Sequence, residues 1–241
     1  SDVCSSDLAL TSCLCKLMEK MVNLRLVWFL ERWDLLSPTQ CGFRKNRSTT
    51  DCLVQLDTAI CQAFASNQHF VCVFFDLEKA YDTAWRRGIL RQLHDFGLRG
   101  ELPVFIDGFL RNRHFRVRVG THYSNTFQQV EGVPQGSVLS VTLFAIAING
   151  IASTLPAGVI NTLYVDDFSI GFGSTQMRSA QRRLQLALDH VSRWAEERGF
   201  RFSTTKTVAV HFCRKRGFHP DPDLYPKALA FQCALRRAFW G

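Results

Sequence analysis

The sequence predicts an α+β fold in which a mostly antiparallel sheet carries helices on one face. Segments with apolar residues at helical spacing alternate with short apolar or strictly alternating segments, which are typical of strands. Turn-rich residues separate several of these strands by hairpin distances, which favours antiparallel pairing. A chain of 241 residues with 46% apolar side chains can form a hydrophobic core and is not a disordered chain.

The first third of the chain is predicted to hold two helices and one strand. Residues 9–36 carry apolar side chains at helical spacing. A basic turn precedes a second helix, which begins with Thr49 or Thr50 as its cap and runs to about Ser66. The continuous apolar run at 70–75 indicates a strand that is buried on both faces.

The rest of the chain is predicted to alternate helices and hairpins. The elements are a helix at 85–96, a hairpin at 115–133, a helix at 138–155, a hairpin at 161–173, a helix at 175–198 and a strand at 201–213. The apolar helix at 138–155 is interrupted by polar residues, so we expect it to be buried in the protein and not in a membrane.

Charge and cysteine content point to an intracellular protein with a polyanionic partner. The formal net charge is +8, which fits nucleic acid binding without proving it. The nine cysteines form no C-x-x-C pair, so we expect reduced thiols.

Three carboxylates accompany the predicted strands. Asp76 directly follows the buried strand, and Asp166 and Asp167 lie at the tip of the second hairpin. Carboxylates beside a core are costly unless a cation compensates them, and Mg²⁺ prefers such oxygen ligands. Two such ions about 3.5–4 Å apart can drive a displacement at phosphorus. An Asp-Asp pair is also a common turn former, but the third aspartate and the basic charge favour the metal site.

Four motifs give the sequence a family resemblance. Residues 75–82 (FDLEKAYD), 132–140 (GVPQGSVLS) and 164–167 (YVDD) resemble motifs A, B and C of reverse transcriptases, and residues 40–44 (QCGFR) resemble the fingers motif before motif A. Their order and wording are most similar to the reverse transcriptase domain of non-LTR (LINE-type, jockey-like) retrotransposons, over residues 9–226. The resemblance implies the fingers and palm of a right-hand polymerase, with the thumb missing.

The resemblance also implies roles for the motif residues. Asp76 and Asp166 match the metal-binding aspartates, and the backbone at Leu77 matches a position that contacts the metal-bound triphosphate. Asp167 matches the second motif C aspartate, nearer the primer end. Lys206 resembles the lysine of motif D, which protonates the leaving pyrophosphate as a general acid.

Nucleotide selection is implied for a further group of residues. Tyr81 lies five residues after Asp76, at the position of the steric gate that excludes a ribose 2′-hydroxyl. Its ring could equally be packed in the core, and the steric gate and the packed ring are compatible with each other. Gln135 and Gly136 match residues near the incoming nucleotide, although a simple turn before the helix is an alternative.

Basic residues in two segments are candidate nucleic acid contacts. Arg44 is expected to bind the nucleotide, and Lys45 and Arg47 the template. Arg116 and Arg118 share one face of the predicted strand at 115–119, which suits contacts to a phosphate backbone. A solvated basic turn is the alternative for the first group.

The resemblance and the composition of the two ends define the expected organisation. Residues 1–8 match the translation of a common sequencing adapter, and we expect them to be an artefact. Residues 9–69 are expected to be fingers-like and 70–213 to be the palm, with further fingers elements around 97–131. Residues 214–241 are expected to be a truncated, frameshifted tail before the primer grip and thumb.

The implied function is RNA-directed DNA synthesis, with two-metal transfer of a nucleotide from a dNTP to a primer 3′-hydroxyl. We expect two Mg²⁺ ions, with Mn²⁺ as a substitute, an RNA template, and a DNA primer or target DNA. An endonuclease domain is expected elsewhere in the full-length protein, with action in the nucleus. Two alternatives stay open: an inactive relic that at most binds RNA, and an intron maturase or RNA-dependent RNA polymerase. Tyr81 at the gate argues against an RNA polymerase, and the wording of motifs A and B against a maturase.

Overall fold

The computed structural model describes residues 12–214 and 222–224, together with the backbone of 234–238. The expected artefact at 1–8 and most of the expected tail at 214–241 lie outside these residues. The chain divides into two compact units, one formed by 1–36 and 79–147 and the other by 37–78 and 148–241. The expected fingers and palm boundaries stay a prediction.

Within the described residues the helices follow the predicted order closely. They are α1 Cys13–Arg32, α2 Thr49–Ala65, α3 Ala80–Thr83, α4 Arg86–Asp95, α5 Glu101–Leu110, α6 Val138–Ile148 and α7 Met177–Arg198. The predicted helix at 138–155 ends as a 3₁₀-helix, Asn149–Thr154. No helix in this part of the chain combines the length and apolar character that crossing a membrane requires.

The strands are β1 His69–Phe75, β2 Arg113–Phe115, β3 Arg118–Val119, β4 His122–Tyr123, β5 Phe127–Gln129, β6 Ile160–Tyr164, β7 Asp167–Ser174, β8 Val208–Phe212 and β9 Ala234–Ala238. Five of them form the sheet of the second unit in the order β6-β7-β1-β8-β9. All neighbours pair antiparallel except β8 and β9, which are parallel. The predicted buried strand, β1, is therefore the central strand.

Helices cover the sheet on both faces rather than on the single face that we expected. From α2, Ile60 and Ala63 pack with Phe70 and Cys72 of β1. On the opposite face, the guanidinium of Arg183 in α7 lies 5.9 Å from the ring centroid of Phe172 in β7. The α+β class is confirmed, and the cover on both faces explains why β1 has no polar face.

The N-cap of the second helix lies one residue before Thr49, the earlier of the two caps that we expected. Ser48 is the N-cap, and its backbone N–H donates to Oδ2 of Asp51 at 2.6 Å. This reciprocal capping box fixes the end of the basic turn and the start of α2.

The hairpin predicted at 115–133 is wrong in detail. β2 pairs with β5, and a separate short ladder joins β3 to β4. The strand breaks because the N–H of Val117 donates to the hydroxyl of Ser124 and not to a carbonyl of a partner strand. Arg116 thus lies outside the strands, and no single strand carries both Arg116 and Arg118 as we expected.

Helix α5 was not predicted from the sequence. Pro103 and Gly108 in its ten residues obscure the helical signal. Pro103 is tolerated because it lies in the first turn, where its missing N–H costs no hydrogen bond within the helix.

Candidate active site

The predicted hairpin tip brings the acidic residues of two motifs together. Tyr164 pairs with Asp167, so Val165 and Asp166 alone form the turn between β6 and β7. Phe75 pairs with Phe168, and Asp76 therefore follows β1 at the level of Asp167. The antiparallel register thus collects three carboxylates at one end of the central strands.

The charges of these carboxylates affect one another. The pKa of Asp167 is raised, first by partial burial and then by the negative charges of Asp166 and Asp76. Such a cluster of like charges favours a bound cation. The donor set consists of carboxylate oxygens, which fit a hard divalent ion.

Removal of one charge is expected to stabilise the protein when no divalent cation is present. In Asp167→Asn we expect the melting temperature at pH 7 to rise by about 1–3 °C, because an exposed charge contact is worth about 0–1 kcal/mol. Since the pKa of Asp167 is raised in the folded state, the wild type gains stability as pH falls through that pKa. The difference in melting temperature between the wild type and Asp167→Asn should then disappear. Thermal unfolding in chelator at pH 7 and at acid pH measures this. A lower melting temperature for Asp167→Asn at pH 7 would contradict the charge argument.

Lys206 lies in the turn between α7 and β8, and backbone hydrogen bonds hold the segment before this turn beside Asp76. The N–H of Ser203 donates to the carbonyl of Asp76 at 2.7 Å, and the N–H of Glu78 to the carbonyl of Arg201 at 2.8 Å. These bonds place Nζ of Lys206 at 3.8 Å from Oδ2 of Asp76. An ammonium group therefore already lies next to the carboxylate that the metal prediction requires.

The turn of the hairpin has a strained backbone. Val165 has a φ of +59°, in the left-handed region that branched side chains rarely adopt, and it is buried. The N–H of Val165 donates to Oε1 of Gln40 at 3.1 Å, and the N–H of Gly42 donates to the same oxygen at 2.9 Å. One buried side-chain oxygen thus joins the fingers-like motif to the turn that carries Asp166.

Backbone contacts on both sides of Gln40 support this arrangement. The N–H of Cys41 donates to the carbonyl of Leu163 at 2.8 Å, and the N–H of Leu163 to the carbonyl of Thr39 at 3.2 Å. A Cβ on Gly42 would lie 2.5 Å from Cγ2 of Val165, so only glycine fits there. Gln40 lies within the predicted fingers motif, but its role could not be predicted, since no local pattern indicates a contact across more than 120 residues.

The motif B loop packs on α3, the short helix at the end of motif A, within the other unit. Gly132 has a φ of +74°, and a Cβ there would lie 2.4 Å from the carbonyl oxygen of Asp82. The N–H of Val133 donates to the carbonyl of Tyr81 at 2.7 Å. The ring of Tyr81 stacks on Phe144 at 4.8 Å between centroids, so this side chain is a packed ring as one reading expected.

Two residues that sequence reasoning missed hold the motif B loop. The guanidinium of Arg86 donates to the carbonyls of Gly132 at 2.6 Å, Gln129 at 2.9 Å and Glu131 at 3.0 Å. Glu19, which is buried, accepts from the hydroxyl of Ser137 at 2.5 Å and from the N–H of Val138 at 2.9 Å. The carboxylate thereby caps α6. In the same loop, Gln135 is half-buried and Gly136 is exposed.

The basic candidates have mostly local partners. Arg44 donates to the carbonyls of Ser37 at 2.9 Å and Gln40 at 3.3 Å, and Arg47 donates to the carbonyl of Pro38. These two side chains stabilise the loop that carries Gln40. Lys45 is exposed.

In the other unit, the arginines of the broken hairpin also bond nearby groups. Arg116 donates to the hydroxyl of Thr126 at 2.9 Å and Arg118 to the carbonyl of Gly120 at 2.8 Å. The second unit therefore brings together Asp76, Leu77, Asp166, Asp167 and Lys206, whereas Tyr81, Gln135 and Gly136 lie in the first unit. The contacts of the arginines with nucleic acid stay predictions.

Comparison with known proteins decides the family. The family profile described as "Reverse transcriptase (RNA-dependent DNA polymerase)" matches residues 7–231. The chain belongs to the reverse transcriptase family. This family implies a polymerase that depends on a divalent metal ion. The metal-binding and nucleotide-binding residues assigned above remain predictions.

Relatives of this reverse transcriptase domain come from mobile elements. It is 28% identical over 215 residues to the RNA-directed DNA polymerase from mobile element jockey of Drosophila melanogaster, covering 87% of this chain and 23% of the relative. It is also 28% identical over 214 residues to the probable RNA-directed DNA polymerase from transposon BS of the same species, covering 86% and 24%. The predicted resemblance to jockey-like non-LTR retrotransposons is confirmed, and the chain spans about a quarter of these relatives.

Solved structures support the predicted fold. Apo telomerase from Candida tropicalis, truncated from its C-terminal domain, superposes with a TM-score of 0.59 at 13% identity, covering 81% of this chain and 42% of that chain. Telomerase from Candida albicans with a fragment of telomeric RNA gives a TM-score of 0.53 at 12% identity, covering 86% and 36%. At this identity the likeness concerns the fold, which is that of the polymerase fingers and palm.

Proposed function

We propose that this reverse transcriptase domain catalyses RNA-directed DNA synthesis, with Asp76 and Asp166 as the metal ligands. The observation that carries the proposal is the cluster of Asp76, Asp166 and Asp167 at one end of β1 and β7. The primer 3′-oxygen would form a bond to the α-phosphorus of a dNTP, while the bond to pyrophosphate breaks. Bound at these carboxylates, two Mg²⁺ ions would supply activation of the hydroxyl and charge neutralisation on the leaving group.

The chain's own residues have distinct tasks in this proposal. Asp76 and Asp166 hold the metal ions, and the backbone at Leu77 contacts the triphosphate. Asp167 lies beside them at the primer end. The ammonium of Lys206 donates its proton to the leaving pyrophosphate, and its position 3.8 Å from Asp76 supports that assignment.

The proposed template is RNA and the proposed primer is DNA. The relatives named as RNA-directed DNA polymerases support both, and the fold neighbours that were solved with telomeric RNA support an RNA partner. The net charge of +8 suits a phosphate backbone. The domain spans about a quarter of its relatives. From the family resemblance we also propose an endonuclease domain elsewhere in the full-length protein and action in the nucleus.

Primer extension tests this proposal directly. The chain is incubated with an RNA template, a DNA primer, the four dNTPs and Mg²⁺, and extended primer is measured on a gel. We expect extension that requires all four components. Binding of the primed template without extension, in Mg²⁺ and in Mn²⁺, would contradict the proposal and would favour a relic that only binds RNA.

Tyr81 is the proposed selector of deoxynucleotides. Replacement by alanine removes a ring that would crowd a ribose 2′-hydroxyl. We expect Tyr81→Ala to raise the efficiency of ribonucleotide incorporation relative to deoxynucleotide by roughly 10- to 100-fold. Single-nucleotide insertion kinetics measure the ratio, with Tyr123→Ala as control because Tyr123 is an exposed tyrosine of the same unit. An unchanged ratio in Tyr81→Ala would remove this residue from nucleotide selection.

A further inference from the structure

A second group of metal-ligand side chains lies at the end of β1 that is distant from Asp76. One donor atom each of His69, His211 and Cys213 lies within 4.8 Å of the other two. The three residues are 6%, 3% and 8% exposed. Imidazole and thiolate donors suit Zn²⁺, whereas Mg²⁺ prefers oxygen. We propose that His69, His211 and Cys213 form a Zn²⁺ site that is separate from the carboxylate cluster.

The pairing of β1 with β8 explains why these three side chains converge. Phe70 pairs with Phe212 and Val71 with His211 in the antiparallel ladder. One further step of this register brings Cys213 opposite His69. Because alternate residues of a strand share a face, all three donors lie on the same face of the two strands. Two hydrogen-bonded strands and the residue that directly follows β8 therefore hold the ligand set.

The distances are close to those of a tetrahedral site. Nδ1 of His69 lies 3.1 Å from Nε2 of His211. Zn–N bonds of about 2.0–2.1 Å and Zn–S bonds of about 2.3 Å place neighbouring donors roughly 3.3–3.8 Å apart. The widest separation in the cluster thus closes by about 1 Å on binding.

The charge around the cluster is compatible with a bound cation. The guanidinium of Arg214, the next residue after Cys213, lies 5.2 Å from the ring centroid of Phe64 in α2. That helix covers the opposite face of the sheet, so this positive charge is directed away from the donors. Three protein donors leave one position of a tetrahedral sphere for a further ligand.

The position of the site in the sheet assigns it to the pairing of strands and not to the polymerase reaction. Asp76 lies seven positions after His69, just beyond the other end of β1, which corresponds to about 23 Å of extended chain. An ion between β1 and β8 would fix the register of the two strands. Strand β8 is preceded by Lys206 and Thr207, so the same register sets the position of the lysine beside Asp76.

Cobalt substitution tests the proposal on the whole chain. Protein treated with chelator and exchanged into metal-free buffer is titrated with Co²⁺. The background carries Cys13→Ser, Cys15→Ser and Cys61→Ser, which removes the thiols that are exposed among the described residues. We expect one equivalent to give visible bands of tetrahedral Co²⁺ and a near-ultraviolet band from thiolate to metal. One equivalent of Zn²⁺ should remove both, and millimolar Mg²⁺ should remove neither.

Variants assign the donors. Cys213→Ser should lose the thiolate band, and His211→Ala should weaken Zn²⁺ binding by about 100-fold or more, because even outer-shell partners are worth about 10- to 100-fold. Cys72→Ser is the matched control, since burial raises the pKa of the Cys72 thiol to about 12 and this cysteine lies on the other face of β1. Asp166→Asn should bind Co²⁺ unchanged.

Two results would overturn the site. The first is a background chain that takes up no Co²⁺ with a thiolate band, and this measurement does not depend on whether any variant folds. The second is a thiolate band that Cys213→Ser retains or that Cys72→Ser loses. Neither result bears on primer extension in Mg²⁺, so the polymerase proposal is tested separately.

Discussion

Asp166→Asn is expected to reduce Mg²⁺-dependent primer extension by about 1,000-fold or more. A metal ion that stabilises the charge of the transition state contributes several kcal/mol, and each 1.36 kcal/mol is a factor of ten in rate. The amide of asparagine keeps the size of the side chain but not its charge. Because Asp166 lies in a two-residue turn on the surface of the hairpin, we expect the variant to fold. Extension rates at saturating dNTP and Mg²⁺ measure the effect.

The control variant for this prediction is Asp57→Asn. Asp57 is an exposed carboxylate on α2 in the same unit, and its loss changes the net charge equally. Its extension rate should remain within about twofold of the wild type, since isolated surface charges have small effects. Both variants should bind RNA with equal affinity at equal salt. Extension that persists in Asp166→Asn would refute the assignment of the metal centre.

Gln40→Met is expected to be the most damaging substitution outside the acidic cluster. Methionine has a similar length but no acceptor, so the buried N–H groups of Val165 and Gly42 lose their partner. Each buried donor without a partner costs about 1–3 kcal/mol. We expect a loss of about 2–5 kcal/mol in the free energy of unfolding. We also expect a higher Mg²⁺ concentration for half-maximal extension, because the turn that carries Asp166 is no longer held at its strained φ.

Two matched variants separate positioning from general destabilisation. Gln55→Met makes the same chemical change on α2, where the side chain donates one exposed hydrogen bond to the carbonyl of Asn161, and we expect little effect. Gln40→Glu keeps an acceptor oxygen for both N–H groups but adds the cost of a buried carboxyl, because Gln40 is 0% exposed. Its Mg²⁺ concentration for half-maximal extension should therefore lie between those of the wild type and Gln40→Met. An unchanged Mg²⁺ requirement in folded Gln40→Met would show that this glutamine only stabilises the fold.

Local patterns predicted most of the fold. Continuous apolar composition identified β1 as a central strand, and apolar spacing located α1, α2, α4, α6 and α7. The errors in the predicted elements have local causes that the hydrophobic pattern does not show. Side-chain bonding of Ser124 to the N–H of Val117 broke a segment that alternates like a single strand. A proline and a glycine concealed α5.

The acidic residues of the candidate site could be predicted because they lie in short motifs next to predicted strands. The spacing of YVDD required a tight hairpin, and the structure has one, so Asp166 and Asp167 could be paired with Asp76 in advance. The supporting contacts could not be predicted, because they join distant segments. Gln40 reaches Val165 and Glu19 reaches Ser137, in each case across more than 110 residues. Such contacts depend on tertiary packing and leave no periodic trace in the sequence.

The antiparallel pairing of β1 with β7 makes assembly of the acidic cluster an all-or-none event. A slip of one residue would exchange the two faces of β1 and change the packing on both, so the smallest slip that keeps every side chain on its own face is two residues. Two residues shift Asp76 by about 7 Å along the strand, which exceeds the spacing of two metal ions that share ligands. A sheet in which β1 and β7 pair out of register therefore lacks the acidic cluster altogether, and it does not hold a less active form of it. Mutations that loosen this pairing should reduce the fraction of active molecules without changing the turnover rate of those that remain.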